Sequence, residues 1–349
     1  MEDDYIYLRR LFGTATLKSL HERLQKINPN SNQYSDPRNM TIFPFPFTGG
    51  QLPVDRFDFR ESHFKYMGRM AFSELWHTVG ALKVGEGYSR LYIQGTMGYG
   101  KSHILAVLAG LLYCARKRVV YLPDCRELVG NPMRYMQTAL LCAFADPSLD
   151  EEREDIRGLE SQDDVVAFCS QYQIYFIIDQ MNALDYEDAN RDTVNNERKA
   201  AAQSFLDQLT YGQYRITSAS ANHRTAMHME KKQTGEKKLA LMGGMSEVST
   251  NQAIFCCLIS ILVIQYEMAQ WWIHHDKDVP IFRDKEKARV EDLTGCIPLL
   301  LRPLLQFSGK QFHEIEQEFW MHHDFATVGK NVLEFAAEKM QDEPQNYEQ

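Results

Sequence analysis

The residues with the clearest chemical potential lie between Gly95 and Ser102, in the sequence GTMGYGKS. A glycine, four residues and then Gly-Lys-Ser is the spacing of a phosphate-binding loop. Glycines let the backbone turn its N–H groups toward phosphate oxygens, and the positive end of the following helix points at the same anion. The predicted nucleotide-binding residues are Gly95, Thr96, Met97, Gly98, Tyr99, Gly100, Lys101, Ser102 and His103.

Two side chains of this loop have specific expected roles. We expect Lys101 to reach the β and γ phosphates of ATP and the Ser102 hydroxyl to ligate Mg²⁺. The alternative is a glycine-rich turn that happens to precede a helix beginning with Lys-Ser. The apolar strand before the loop and the helical pattern after it favour the phosphate site.

A phosphate loop also needs a carboxylate at the end of a neighbouring strand to position Mg²⁺. The sequence IYFIID places Asp179 after five apolar residues, at the carboxyl end of a predicted strand. An aspartate that merely ends a strand is the alternative. We assign Asp179 as the magnesium aspartate and as one of two candidate catalytic residues.

The second candidate catalytic residue is Gln180. In P-loop proteins with an additional strand between the loop and the aspartate, a glutamate usually stands here as general base. Glutamine can orient water but cannot accept its proton. We therefore expect slow hydrolysis, or a base elsewhere, such as Asp185 or Glu187.

Candidate γ-phosphate sensors end the run YRITSASAN, which is predicted to be that additional strand. They are Ser218, Ser220 and Asn222. A polar side chain there can respond to loss of the γ-phosphate. Small polar residues also end strands for ordinary turn reasons, so both interpretations stay open.

The fold class predicted around these residues is α/β. Strands are predicted at 90–94, 118–123, 174–179 and 214–220, with helices beginning near Lys101, Pro132, Asp163 and Asn196. This alternation is typical of a three-layer P-loop NTPase with a parallel sheet. We expect residues 1–60 to be an extended N-terminal arm, 61–245 the NTPase core, and 246–349 a helical lid or subdomain.

Composition narrows the remaining classes of function. The net charge of −9 disfavours binding of nucleic acid by the whole surface. Seven scattered cysteines indicate reduced thiols, and neither a secretory signal nor a membrane span is evident. We expect a soluble protein of the cytoplasm or nucleus, with no membrane partner and an oligomeric state that the sequence leaves open.

Two further stretches have more than one interpretation. LTGCIPLLLRPLL, from 293 to 305, could close over adenine or simply begin a core helix. The basic run from Arg224 to Lys238 could contact a polyanion or be a solvated loop. The paired histidines at 274–275 and 322–323 lack the spacing of a helical metal site.

Several motifs in order resemble the P-loop domain of Crinkler proteins of fungi and oomycetes, which are related to the retrotransposon hot spot proteins of trypanosomes. The likeness covers about residues 55–310. The motifs are YIQGTMGYGKSH, RVVYLPDCREL, IIDQMNALD, SASAN, GGMSE and LTGCIPLLL. Asp-Gln at 179–180 also matches what Crinkler sequences tend to show.

The resemblance implies an ATPase of the AAA-like or signal-transduction kind, often joined to a nuclease and acting in the nucleus of a host cell as an effector. The sequence departs from the family in lacking the Leu-rich Phe-Leu-Ala-Lys header and a following nuclease domain. We expect ATP and Mg²⁺ binding with slow hydrolysis coupled to conformational switching. The alternatives are an ATP-dependent DNA-processing module partnered with a nuclease, and a non-hydrolysing interaction protein with a bound nucleotide.

A third departure from the family is residues 248–265, which separate GGMSE from YEMAQWW. Val-Ser-Thr at the start of this segment can be encoded by a splice-donor sequence, and Gln265 by an acceptor CAG. Its apolar residues can have pyrimidine-rich codons. We expect a retained intron in the coding sequence, the alternative being a buried helix or strand. Transcripts that all carry the 54 nucleotides would refute the intron.

Overall fold

The computed structural model describes residues 14–49, 52–85, 88–95, 97–185, 193–220, 236–241, 266–307 and 309–327. Contacts divide the chain into two compact units. The first unit is Met1–Ile93, Ser102–Ala219 and Gln233–Leu239. The second unit is Gln94–Lys101, Ser220–Lys232 and Ala240–Gln349. Segment 248–265, where we predicted a retained intron, lies outside the described residues.

The elements of the described residues form two sheets and the helices around them. The strands are β1 (Met40–Pro44), β2 (Phe59–Arg60), β3 (His63–Met67), β4 (Arg90–Gly95), β5 (Arg118–Leu122), β6 (Ile174–Ile178), β7 (Tyr214–Ser220) and β8 (Lys237–Leu241). The helices are α1 (Thr14–Gln25), α2 (Asn32–Ser35), α3 (Ala71–Gly80), α4 (Lys101–Cys114), α5 (Cys125–Gly130), α6 (Pro132–Ala143), α7 (Asp150–Arg157), α8 (Gln162–Ser170), α9 (Thr193–Leu209), α10 (266–274), α11 (Asp284–Thr294), α12 (Pro298–Leu301), α13 (Phe312–Met321) and α14 (323–327). Short 3₁₀ turns lie at Met181–Leu184 and Arg302–Gln306.

The larger sheet has five strands in the order β5-β6-β7-β4-β8, and β6 pairs in parallel with both β5 and β7. The α/β class and the four predicted strands are confirmed. β7 lies between β4 and β6, where the additional strand was expected. β8 was not predicted, because Lys237 and Lys238 were assigned to a basic loop. These lysines instead begin a strand in which Leu239 and Leu241 are buried.

The β6–β7 pair is fixed at the end where both strands begin. The buried Gln213 side chain accepts a hydrogen bond from the N–H of Ile174 (2.8 Å) and donates to the carbonyl of Tyr172 (2.9 Å). The rings of Tyr175 and Tyr214, which are register partners, stack with their centroids 4.2 Å apart. These contacts set which residues of β6 and β7 lie side by side at the other end.

The prediction of an extended arm over residues 1–60 is wrong from residue 14 onward. Two helices and strands β1 and β2 lie there, and both strands pair antiparallel with β3. Phe43 in β1 and Phe45 and Phe47 just after it are spaced two apart, and all three are buried. Phe45 packs against Phe57 and, across to β5, against Tyr121. The prolines between the phenylalanines were read as linker signals, but they are compatible with this strand.

The described part of the second unit beyond β8 is helical. Its apolar cluster comprises Met268, Trp272, Phe282, Val290, Leu300, Leu301, Leu304, Phe307, Ile315 and Phe319. Residues 94–101 belong to the same unit. Among the residues that the structure describes, no helix is long and apolar enough to cross a lipid bilayer.

We predict that Phe45→Ala lowers the free energy of unfolding by about 3–5 kcal/mol, because it leaves a cavity beside the rings of Phe57 and Tyr121. Urea unfolding measures the change. Ile42→Ala, on strand β1 just before Phe45, is the control, since Ile42 is 71% exposed and its truncation removes little buried area. Equal effects of the two substitutions would mean that the N-terminal segment does not pack as described.

Candidate functional site

In the first unit, the centre of the candidate site is the carboxylate of Asp179, which follows β6 and is 2% exposed. The N–H of Asp179 donates to the carbonyl of Leu122 (2.9 Å) and so extends the pairing with β5. Its Oδ1 accepts hydrogen bonds from the Ser218 hydroxyl and from the N–H of Gln180 (2.9 Å). These bonds fix the direction in which the carboxylate points.

The second oxygen of Asp179 contacts a residue that sequence reasoning missed. Nη1 of Arg56 donates to Asp179 Oδ2 (3.0 Å) and to the carbonyl of Pro123 (2.9 Å), and it lies 3.5 Å from the Ser102 hydroxyl. Nη2 of Arg56 donates to Asp124 (2.9 Å), and only 14% of the arginine side chain is exposed. No local signal in the sequence marked this arginine, because its partners Pro123, Asp124 and Asp179 lie far away along the chain.

Asp124 follows β5 and begins helix α5 by accepting a hydrogen bond from the N–H of Arg126 (2.9 Å). The Arg126 guanidinium also contacts both oxygens of Asp124 and donates to Asp55 (2.8 Å). Burial acts to raise the pKa of Asp55. The hydrogen bond from Arg126 and the charge of Arg56 outweigh burial and hold that pKa below its usual range. The cluster therefore combines three carboxylates with two guanidinium groups.

A cysteine beside this cluster is not a candidate nucleophile. Cys125 is buried, and burial together with the charges of Asp179 and Asp124 raises the pKa of its thiol. Because the thiolate is the reactive form, a raised pKa keeps the sulfur inert at neutral pH.

In the second unit, the predicted phosphate loop has the backbone that its glycines permit. Gly98 and Gly100 have φ angles of +81° and +93°, in the left-handed region that favours glycine. Helix α4 begins at Lys101, as predicted. The Lys101 ammonium group donates to the carbonyl of Gly95 (2.6 Å), on the opposite side of the loop.

The predicted phosphate loop is packed against the segment from 293 to 305. The N–H of Leu299 donates to the carbonyl of Gly98 (3.2 Å), and a Cβ added to Gly98 would lie 2.5 Å from the Leu299 Cβ. Pro298 is the first residue of α12, and Leu300 and Leu301 are buried in the apolar cluster. The segment thus begins a short helix whose leucines lie in the apolar cluster, in line with one of its two predicted interpretations. The other interpretation, closure over adenine, stays a prediction.

Some of the remaining predicted residues lie beside Asp179, some contact other residues, and some lie outside the described ranges. Ser218 is buried beside Asp179, so a sensor candidate and the predicted magnesium aspartate are brought together. The His103 ring stacks on Phe57, with centroids 4.4 Å apart, and is therefore engaged in aromatic packing. The backbone of Ser220 ends β7, while Thr96, Asn222 and Glu187 lie outside the described residues.

Gln180 adopts a left-handed backbone with φ +59° and ψ +45°. This conformation costs a residue with a Cβ about 1 kcal/mol, and the bond from its N–H to Asp179 helps to hold it. The 3₁₀ turn Met181–Leu184 follows directly. Strained backbone of this kind often accompanies functional sites. Asp185, the alternative base, receives a hydrogen bond from Lys199 on its backbone carbonyl.

The first unit contains oxygen ligands suited to Mg²⁺. Within the described ranges, no group of three or more His, Cys, Asp or Glu side chains could hold a metal ion by itself. Mg²⁺ typically takes one or two carboxylates and completes its shell with waters and substrate phosphates. The Ser102 hydroxyl and Asp179, which share a contact with Arg56 Nη1, fit such a site.

Comparison of the sequence with models of known protein families and with curated proteins found no match. A functional assignment therefore rests on the strand order of the sheet and on the side chains described above.

Proposed function

We propose that this chain is a P-loop NTPase of the AAA-like kind that binds ATP with Mg²⁺. The observation that carries the proposal is the strand order. The Gly-x₄-Gly-Lys-Ser sequence follows β4 and opens α4, the aspartate follows β6, and β7 lies between those two strands. A phosphate loop and a magnesium aspartate need this arrangement of elements, and the sequence motif alone does not guarantee it.

In this proposal the chain's own residues divide the work of binding. Lys101 exchanges the carbonyl of Gly95 for the β and γ phosphates, which are stronger acceptors because they are charged. The left-handed glycines at 98 and 100 allow backbone N–H groups to turn toward the same phosphates. Ser102, next in sequence to Lys101, and Asp179 ligate the metal directly or through water. Bound Mg²⁺ would neutralise phosphate charge.

Turnover is proposed to be slow and coupled to a switch. Gln180 can hold a water molecule but cannot remove its proton, so bond cleavage lacks a strong base at this position. Ser218 donates to the same carboxylate that serves Mg²⁺. If Asp179 moved on loss of the γ-phosphate and metal, its hydrogen bond with Ser218 would transmit that movement to β7.

The resemblance to Crinkler proteins supports DNA or a nuclear protein as the partner, with an effector role. A second candidate function is favoured by Gln180, namely an interaction protein that keeps its nucleotide unhydrolysed. Phosphate release measured with and without DNA separates a slow switching ATPase, a DNA-processing module and a non-hydrolysing interaction protein. Stimulation by DNA supports a DNA-processing module, and tight binding without release supports the interaction protein.

We predict that Lys101→Ala weakens ATP binding by about tenfold to a hundredfold, because it removes a charged donor to the phosphates. Fluorescence titration with a labelled ATP analogue measures the affinity, and circular dichroism checks the fold. Lys65→Ala, on an exposed position of β3, is the matched control and should bind as the unmodified chain does. Unchanged affinity in Lys101→Ala would contradict the phosphate site.

We predict that Gln180→Glu increases the rate of ATP hydrolysis by about tenfold or more, since a carboxylate there can act as general base. Single-turnover phosphate release measures the rate directly. Gln171→Glu, which adds the same charge at the end of α8, is the control for net charge. A rate that stays flat or falls in Gln180→Glu would place the base elsewhere.

A further inference from the structure

Arg56 makes its contacts with the two groups that the proposed function assigns to Mg²⁺. A single nitrogen, Nη1, lies 3.0 Å from Asp179 Oδ2 and 3.5 Å from the Ser102 hydroxyl oxygen. A metal ion that ligates both oxygens would have to contact the same two atoms, so it would compete with Nη1 for them. The guanidinium group therefore occupies the place of a shared metal ion.

The charge of Arg56 matches this position. Asp179 is almost fully buried, and a buried carboxylate requires a nearby positive charge. Arg56 supplies one positive charge where Mg²⁺ would supply two. Both cannot be held at these oxygens at once, because the ion and the guanidinium would repel each other at close range.

The surroundings of Arg56 give its side chain an alternative position. Its Nε already lies 3.6 Å from Asp55, which is 50% exposed. Asp124 would not be left unpaired if Arg56 moved, because Arg126 contacts both of its oxygens. A rotation of the side chain toward Asp55 would thus release Asp179 and Ser102 to a metal ion, which would then neutralise Asp179, while Arg126 continues to neutralise Asp124.

We propose that Arg56 is a tethered cation that holds the Mg²⁺ position in the metal-free protein and must be displaced for the metal to bind. This inference rests on the assignment of Ser102 and Asp179 in the proposed function. It makes Arg56 a regulatory residue that sets the Mg²⁺ concentration at which the site fills. Nucleotide can bind the loop before Mg²⁺ does, because Arg56 keeps Asp179 neutralised in the meantime.

The test is the metal dependence of variants at position 56. Arg56→Gln removes the charge, and Arg56→Lys keeps it but cannot span Asp179 and Asp124 as a fork does. Binding of Mn²⁺, used as a spectroscopic substitute for Mg²⁺, is followed by electron paramagnetic resonance in the absence of nucleotide, with competition by MgCl₂. Arg38→Gln is the control for loss of one positive charge, because the Arg38 side chain is 69% exposed and pairs with Asp36, outside this cluster.

We expect Arg56→Gln to lower the half-saturating metal concentration by about tenfold or more, which corresponds to loss of one competing charge, and Arg56→Lys to lower it less. Arg38→Gln should resemble the unmodified chain. If Arg56→Gln does not fold, the Arg56→Lys result decides. Equal metal affinity in the unmodified chain and the folded variant, including no binding by either, overturns the inference. Lys101-dependent ATP binding in EDTA tests the proposed function separately.

Discussion

One guanidinium group, that of Arg56, neutralises buried carboxylates that follow two neighbouring strands. Asp124 follows β5 and Asp179 follows β6, and Arg56 donates to both. Without a positive charge between them, two negative charges would face each other in a region shielded from water. Removing one partner of a buried ion pair typically costs about 3–5 kcal/mol. Asp124 has a second partner in Arg126, so the larger part of that cost would fall on Asp179.

Aromatic packing is what brings Arg56 to this place. Phe57, the next residue in the chain, stacks on His103, and Arg56 contacts Ser102. Residues 56–57 therefore pack against residues 102–103 at the start of α4. Phe45 and Phe64 hold Phe57 from the other side. These aromatic contacts therefore position the charged side chain of Arg56. The aromatic residues matter to the candidate site although they carry no polar group.

The sequence predicted the parts of this structure that depend on neighbours along the chain. Apolar runs and motif spacing were sufficient for β4 to β7 and for the start of α4. Arg56 and Leu299 were missed because each reaches its partner across a large sequence separation, and nothing local marks the partner. The N-terminal strands were missed because proline signals turns more strongly than alternate phenylalanines signal a buried strand.

The contacts of Gln213 have a consequence for the way in which the sheet loses structure. At the start of β6 and β7, uncharged hydrogen bonds and a pair of stacked tyrosines hold the strands together. At the other end, the strands depend on ionic partners. Loss of the Arg56 charge by substitution would weaken only the second set. In such a variant, opening should therefore begin at the carboxyl ends of these strands, and amide hydrogen exchange there should accelerate while exchange near Gln213 does not.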